Sequence, residues 1–317
     1  MRYSRSEIAK QARESGWESD ILEKAVRLAL FLESLDRHPF LHDRLLLKGG
    51  TALNLFHLDI PRLSVDIDLN CVGTADLKEL TAQRPETERA IMAVGQSEGY
   101  SMATSADAHA GRKFYLQYTN YSGMRDRLEV DLNFMFRIPL FPSERRPVKA
   151  LMPNVEIRVP LVSWPELVAG KCVAALDRAA PRDVYDLAHM RPQLDLADPA
   201  IRAACIGLSA VLPHPLSTYD KRRFHQVDRE QMDVALRPFL RQRTRDDLDA
   251  ILPAADALLV WLLNLNEKET CFVDGIATGH IQPELLLPGD AAFCRALRQH
   301  PALLWKTKNV LEHRKKR

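Results

Sequence analysis

Residues 46–70 read LLKGGTALNLFHLDIPRLSVDIDLN, and the organisation of the chain follows from them. In the second half Leu63, Val65, Ile67 and Leu69 are apolar, while Ser64, Asp66, Asp68 and Asn70 are polar. Strict alternation over eight residues predicts a half-buried β-strand. Side chains at i and i+2 share a face of a strand, so Asp66 and Asp68 point the same way. Two carboxylates that close repel each other unless a cation lies between them, and Mg²⁺ (or Mn²⁺) suits such oxygen donors. Just upstream, Lys48, Gly49, Gly50 and Thr51 end the apolar run Leu45–Leu47 and open the helix-like TALNLFH. Paired glycines between a strand and a helix let backbone N–H groups approach an anion at the helix N-terminus. Taken singly, a D-x-D strand is also a solvated sheet edge, and a Gly-Gly pair is also plain turn chemistry. Together, a phosphate cradle followed at short range by a carboxylate pair is what metal-assisted phosphoryl transfer requires.

Farther along, the pattern repeats. Leu128, Val130, Leu132 and Phe134 alternate with Glu129, Asp131 and Asn133. If this strand lies beside the D-x-D strand, Asp131 supplies a third carboxylate. Three acids can hold two metal ions about 3.5–4 Å apart. Glu129 shares the face and competes for the role, and an exposed polar face is the plain alternative. Other strands are expected over 100–104, 113–119 and 155–159, the last ending at Pro160, with Asn120–Gly123 as a hairpin turn. Helices are expected over 21–37 and within 74–98, the latter interrupted at Pro85.

Ser163-Trp164-Pro165-Glu166 is a capping box with proline in the first turn, so a helix starts there. Lys171 lies in its apolar segment and either snorkels to water or meets an anion; residue type alone favours snorkelling. A second helix starts at Pro181, with Asp183 in its first turn, where an acid ordinarily complements the helix dipole. From Asp195 onward the texture is helical, over 197–211, 230–241 and 244–266, with a break at Pro253. Basic clusters stand at 221–225 (KRRFH) and in the tail 313–317. Most such runs are solvated surface. Lys221, Arg222 and Arg223, with Tyr219 and Phe224 interleaved, form the better candidate for holding a nucleic-acid backbone and stacking a base.

At 317 residues, 46% hydrophobic and 27% charged, the composition is that of a globular protein large enough for one or two cores. A net charge of +2 leaves any nucleic-acid footprint local. Five cysteines without a C-x-x-C pair argue against a zinc site or a disulfide framework and fit a reducing cytoplasm. The charged N-terminal stretch shows no secretory signal, and no apolar run is of membrane-spanning length.

The motif GGT, a short helix, then R-x-S-x-D-I-D-L resembles the active-site segment of the DNA polymerase β-like nucleotidyltransferases. More narrowly, KGGTALNL…RLSVDIDL and the later E-L-x-x-x-K…R-x-x-R-D-x-Y-D-L resemble the AbiEii/AbiGii-type nucleotidyltransferase toxins. The resemblance covers motifs within about residues 44–190. It implies an α/β (α+β) fold, a nucleotidyltransferase-type mixed sheet flanked by helices over 1–190, and the helical texture beyond it adds a helical domain over 191–317. It implies NTP as substrate, Mg²⁺ on Asp66, Asp68 and Asp131, and a triphosphate held at Lys48, Gly49, Gly50 and Thr51. It carries over Lys171 as a phosphate contact and Asp183 as a second essential acid, with Arg182 and Asp186 less firmly matched. The implied acceptor is the 3′ end of a tRNA, whose modification blocks translation, and the implied partner is an antitoxin encoded alongside. A small-molecule or protein acceptor, and a catalytically silent nucleotide-binding protein, are the competing expectations.

Overall fold

The computed structural model describes residues 2–106, 108, 110–149, 151–153, 156–242, 244 and 248–315, with backbone alone at 248, 249 and 313–315. The chain divides into two compact units. The first comprises Met1–Arg137, Ser143–Val162 and Arg237–Thr244; the second comprises Ile138–Pro142, Ser163–Leu236 and Arg245–Arg317. This differs from the expected boundary at residue 190. The helices Trp164–Arg178 and Pro181–Met190 fall in the second unit because they pack on helices that follow them, Pro199–Ser209 and Leu248–Leu263.

Among the described residues seven strands form one mixed sheet in the first unit: β1 (Leu45–Lys48), β2 (Asp66–Cys71), β3 (Ser101–Thr104), β4 (Gly111–Thr119), β5 (Arg125–Asn133), β6 (Glu144–Pro147) and β7 (Arg158–Leu161). Their order is β3-β4-β5-β2-β1-β7-β6. β2 runs parallel to β5 and antiparallel to β1, while β4 and β5 form the expected hairpin. The turn closes with the Gly123 N–H donating to the Asn120 carbonyl. The apolar face carries Ile67, Leu69, Phe114, Leu116, Val130 and Leu132, none more than 2% exposed. Helix α1 (Arg5–Ser15) precedes α2 (Ser19–Arg37), which sets Leu32 and Leu35 against Leu45, Leu47 and Leu69 around a void of about 20 Å³. With this face covered, the alternate residues of β2 and β5 are left on the other.

Four details depart from the sequence reading. β2 begins at Asp66, not Leu63, because Arg62 bridges to Leu240 and the Leu63 N–H donates to the Phe239 carbonyl. Leu63, Ser64 and Val65 are all buried. Helix α4 (Leu77–Ser97), the next long helix after the short α3 (Gly49–Ala52), runs unbroken through Pro85, whose exposed position lets the helix absorb the missing bond at its solvent side. β7 continues through Pro160, where its register with β1 is confined to Leu161 opposite Leu47; Val155 lies outside the described residues. β6 is an edge strand of sequence ERRP, charged in the manner that keeps edges from pairing further.

The second unit is helical: α5 (Trp164–Arg178), α6 (Pro181–Met190), α7 (Pro199–Ser209), α8 (Arg229–Leu236), α9 (Leu248–Leu263), α10 (Glu267–Ala277), α11 (Ala291–Gln299) and α12 (Pro301–Lys315). Ser163 caps α5 as its sequence predicts, and α9 passes through Pro253 without a break. Among the described residues no single helix is long and apolar enough to cross a membrane. All five cysteines are free thiols. If the apolar face of the sheet is the core of the first unit, Phe114→Ala should lower unfolding free energy by about 3–5 kcal/mol, read from urea denaturation.

Candidate active site

The polar face of the sheet is built by register. Lys48 of β1 stands opposite Asp68 of β2, Asp68 opposite Asp131 of β5, and Asp131 opposite Lys113 of β4. One row across four strands therefore reads Lys, Asp, Asp, Lys. The adjoining row sets Asp66 beside Glu129 and Glu129 beside Tyr115. Neighbouring strands lie about 4.8 Å apart, so the carboxylates of Asp66, Asp68, Glu129 and Asp131 share one small area.

The two lysines are held differently. The Lys48 ammonium sits 5.2 Å from the centre of the Phe136 ring, a cation–π distance. Phe136 is placed there by an Asx turn, in which the Asn133 carboxamide accepts from the N–H groups of Met135 and Phe136 and ends β5. Lys113 instead donates to the Glu129 carboxylate and lies 3.4 Å from Asp131 Oδ2. The hydrogen bond to Glu129, aided by Asp131, raises the Lys113 pKa above its ordinary value and keeps it charged.

The turn before α3 meets the carboxylates directly. Gly49 has φ +72°, the left-handed region, and a Cβ there would overlap the Asp68 carboxylate. Gly50 lies over Ser64 Oγ and the Arg62 guanidinium, which a Cβ would approach to 3.0 and 3.3 Å. Below the turn, the Thr51 hydroxyl donates to the Asp66 carbonyl at 2.5 Å and Asn54 Nδ2 to the Gly50 carbonyl at 2.7 Å. Thr51 is fully buried, so its hydroxyl anchors the turn; toward an anion the turn presents backbone. α3 has no side-chain cap at Lys48, and it passes into a single π-turn over Leu53–His57.

Oxygen donors on one face, with a glycine turn pressed against one of them, suit a hard divalent ion in type. Among the described residues, no three His, Cys, Asp or Glu side chains are drawn together tightly enough to grip one.

In the second unit, Lys171 does not snorkel. Its ammonium is buried and lies 2.9 Å from Asp183 Oδ1 and 2.8 Å from Asp186 Oδ2. Arg178, mostly exposed, donates from Nε to Asp183 Oδ2 at 2.6 Å and from Nη2 to Oδ1 at 3.2 Å. The chain reverses between α5 and α6 at Ala179, whose φ is +46°, and this elbow brings the first turn of α6 back to Lys171. Asp183 is therefore half of an ion pair, more than a complement to the helix dipole. Burial opposes its ionisation, but Lys171 and Arg178 prevail and hold its pKa down at about 2.

Of the basic segment 221–225, Phe224 is 1% exposed and belongs to the core, which removes it as a stacking platform. Arg223 donates to the Asp177 carbonyl at 2.6 Å and His225 pairs with Asp256 at 2.7 Å, leaving Lys221 and Arg222 as its exposed cations. The basic tail 313–317 lies outside the described side chains. Sequence reasoning passed over Lys113, and met Arg62 and Ser64 only within the motif R-x-S-x-D-I-D-L, with no role of their own. Lys113 lies on the polar face of an alternating strand, which was legible, but its place beside Asp131 was not.

A mixed sheet with an acidic strand pair beside a Gly-Gly turn is the architecture of a nucleotidyltransferase. The family model described as "Nucleotidyl transferase AbiEii toxin, Type IV TA system" matches residues 31–259. The chain belongs to that family, the nucleotidyltransferase toxins of type IV toxin–antitoxin systems. The solved structure of MenT4, a nucleotidyltransferase toxin from Mycobacterium tuberculosis H37Rv, is similar at TM-score 0.60 and 16% identity, over 98% of this chain and 99% of that one. At that identity the likeness is one of fold. No curated protein matches the sequence.

Asp183, depressed from 3.8 to about 2, contributes stability that is complete above its unfolded value and is lost as pH falls through about 2. The expected loss is about 2 kcal/mol between pH 5 and pH 2. Urea midpoints across that range should show it, and Asp183→Asn should flatten the dependence. Lys171→Met, which leaves two buried carboxylates short of a cation, should cost about 3–5 kcal/mol.

Proposed function

We propose that the protein transfers a nucleoside monophosphate from an NTP to an acceptor hydroxyl, releasing pyrophosphate, and that the acceptor is the 3′ end of a tRNA, so that translation stops. The row of Asp68 and Asp131 between two lysines, with Gly49 against Asp68, is the observation that carries the reading. Asp66, Asp68 and Asp131 would hold Mg²⁺ or Mn²⁺, which supplies neutralisation of the triphosphate and acidifies the attacking hydroxyl. Backbone N–H groups of Gly50 and Thr51 would receive the triphosphate, with Gly49 giving the turn its shape and Lys48 adding charge. Asp131, on the β4 side of the acidic row, would orient the acceptor oxygen.

Lys171 as a nucleotide-phosphate contact and Asp183 as an essential acid stay in the proposal. The resemblance of their block supports them, and so does a lysine held between two carboxylates, one of which a phosphate could replace. Family membership supports an antitoxin partner. Five free thiols suit a reducing cytoplasm. For an RNA acceptor, the exposed Lys221 and Arg222 are the phosphate contacts proposed in place of the whole segment 221–225.

Incubation with each labelled NTP, Mg²⁺ or Mn²⁺ and total tRNA should label the RNA; label on small molecules or protein alone would overturn the acceptor. Asp66→Asn and Asp68→Asn should each lower turnover by about 10²-fold or more, because a charge at the metal is lost while shape is kept. Their metal-free melting temperatures should equal or exceed that of the parent. Near-parental turnover in either would sink the metal assignment. Replacing Lys221 and Arg222 by alanine should flatten the log–log salt dependence of RNA binding by about one to two units and leave NTP binding unchanged.

A further inference from the structure

Glu129 and Asp131 are next-but-one neighbours on β5, both on the acidic face, and one cation serves them both. Lys113 donates to Glu129 and lies 3.4 Å from Asp131. The Asp131 and Lys113 side chains are 42% and 43% exposed, so water and dissolved ions reach the pair. Arg127, two residues before Glu129, stands 4.0 Å from Glu129 and over the Tyr115 ring at 4.8 Å.

We propose that Lys113 is the resident counter-ion of Asp131 in the metal-free protein and that a divalent ion loads by exchange with it. The inference rests on the assignment of Asp131 to the metal site. In the metal-free arrangement the ammonium bridges Glu129 and Asp131, and the repulsion among Asp66, Asp68 and Asp131 is relieved from the β4 side. On loading, Lys113 keeps its hydrogen bond to Glu129 and gives up Asp131. Neither state then leaves an unpaired charge, and the contact broken is a part-exposed ion pair, the weak kind. The competition between the two acids resolves accordingly: Glu129 parks the lysine and Asp131 ligates.

The test is Mn²⁺ titration of the whole protein followed by electron paramagnetic resonance, with no NTP and no turnover. Lys113→Met keeps the packing of the stem and removes the competing charge; its Mn²⁺ dissociation constant should fall about fivefold to tenfold, the scale of a unit charge at contact distance in a wet site. Arg127→Met removes an equal charge from the same face without touching Asp131 and should change the constant by less than about twofold. Equal tightening in both variants would mean a general field effect and would overturn the exchange. Unchanged or weaker binding in Lys113→Met would overturn it as well. Asp68→Asn and Asp131→Asn separate the two levels of the argument. If both lose Mn²⁺ while Lys113→Met is unaltered, the metal reading stands and the exchange falls. If Asp131→Asn binds as the parent does, the assignment of Asp131 fails and takes the exchange with it.

Discussion

The parallel pairing of β2 with β5 is the constraint from which the rest of the site follows. It sets Asp68 opposite Asp131 and Asp66 opposite Glu129, which no antiparallel or shifted register would do while keeping Ile67, Leu69, Val130 and Leu132 in the core. A slip of one residue would turn the acids inward and the aliphatic side chains outward. The hydrophobic pattern thus fixes which face each side chain takes, and the observed register gathers the charges. Four carboxylates on one face are costly unless cations attend them. Lys48 and Lys113 do so from the flanking strands, one resting on an aromatic ring and the other on Glu129.

The second unit handles charge in the opposite way. Lys171, Asp183 and Asp186 are withdrawn from water, where Coulomb attraction is stronger and each unpaired member is more damaging. Such a network is a poor contributor to stability when compared with an apolar core of equal volume. It does fix the elbow at Ala179, because only the closed turn brings Asp183 to both Lys171 and Arg178. Arg178 reaches the same carboxylate from the solvent side.

Much of this was readable from the chain alone, for physical reasons that also mark where reading stopped. Period-2 alternation revealed β2 and β5 because each has one buried face. It said nothing of β6, whose four residues are charged or proline. Residues 63–65 looked like strand because the alternation continues, but Phe239 and Leu240 take up the backbone at residues 62 and 63, and contacts so distant in sequence leave no local trace. Phe224 within a basic run read as an exposed ring, since nothing adjacent reports its burial. Lys171 read as snorkelling because its partners come back only through the elbow. That Lys113 meets Asp131 depends on the length of the hairpin turn, which residue types alone do not set.

The turn at Gly49 is left-handed in conformation and yet fixed in place. Its glycine adopts a left-handed φ and has no room for a side chain against Asp68, so composition is dictated twice over. Two bonds from below, Thr51 to the Asp66 carbonyl and Asn54 to the Gly50 carbonyl, then remove the freedom that glycines would otherwise bring. Toward an anion such a turn would offer backbone N–H groups whose directions are already settled, and pre-set dipoles need no reorganisation when charge develops. The first bond also runs to Asp66 itself, so the turn and the acidic strand are positioned by one another. A shift of either displaces the other, which ties the two halves of the motif into one unit.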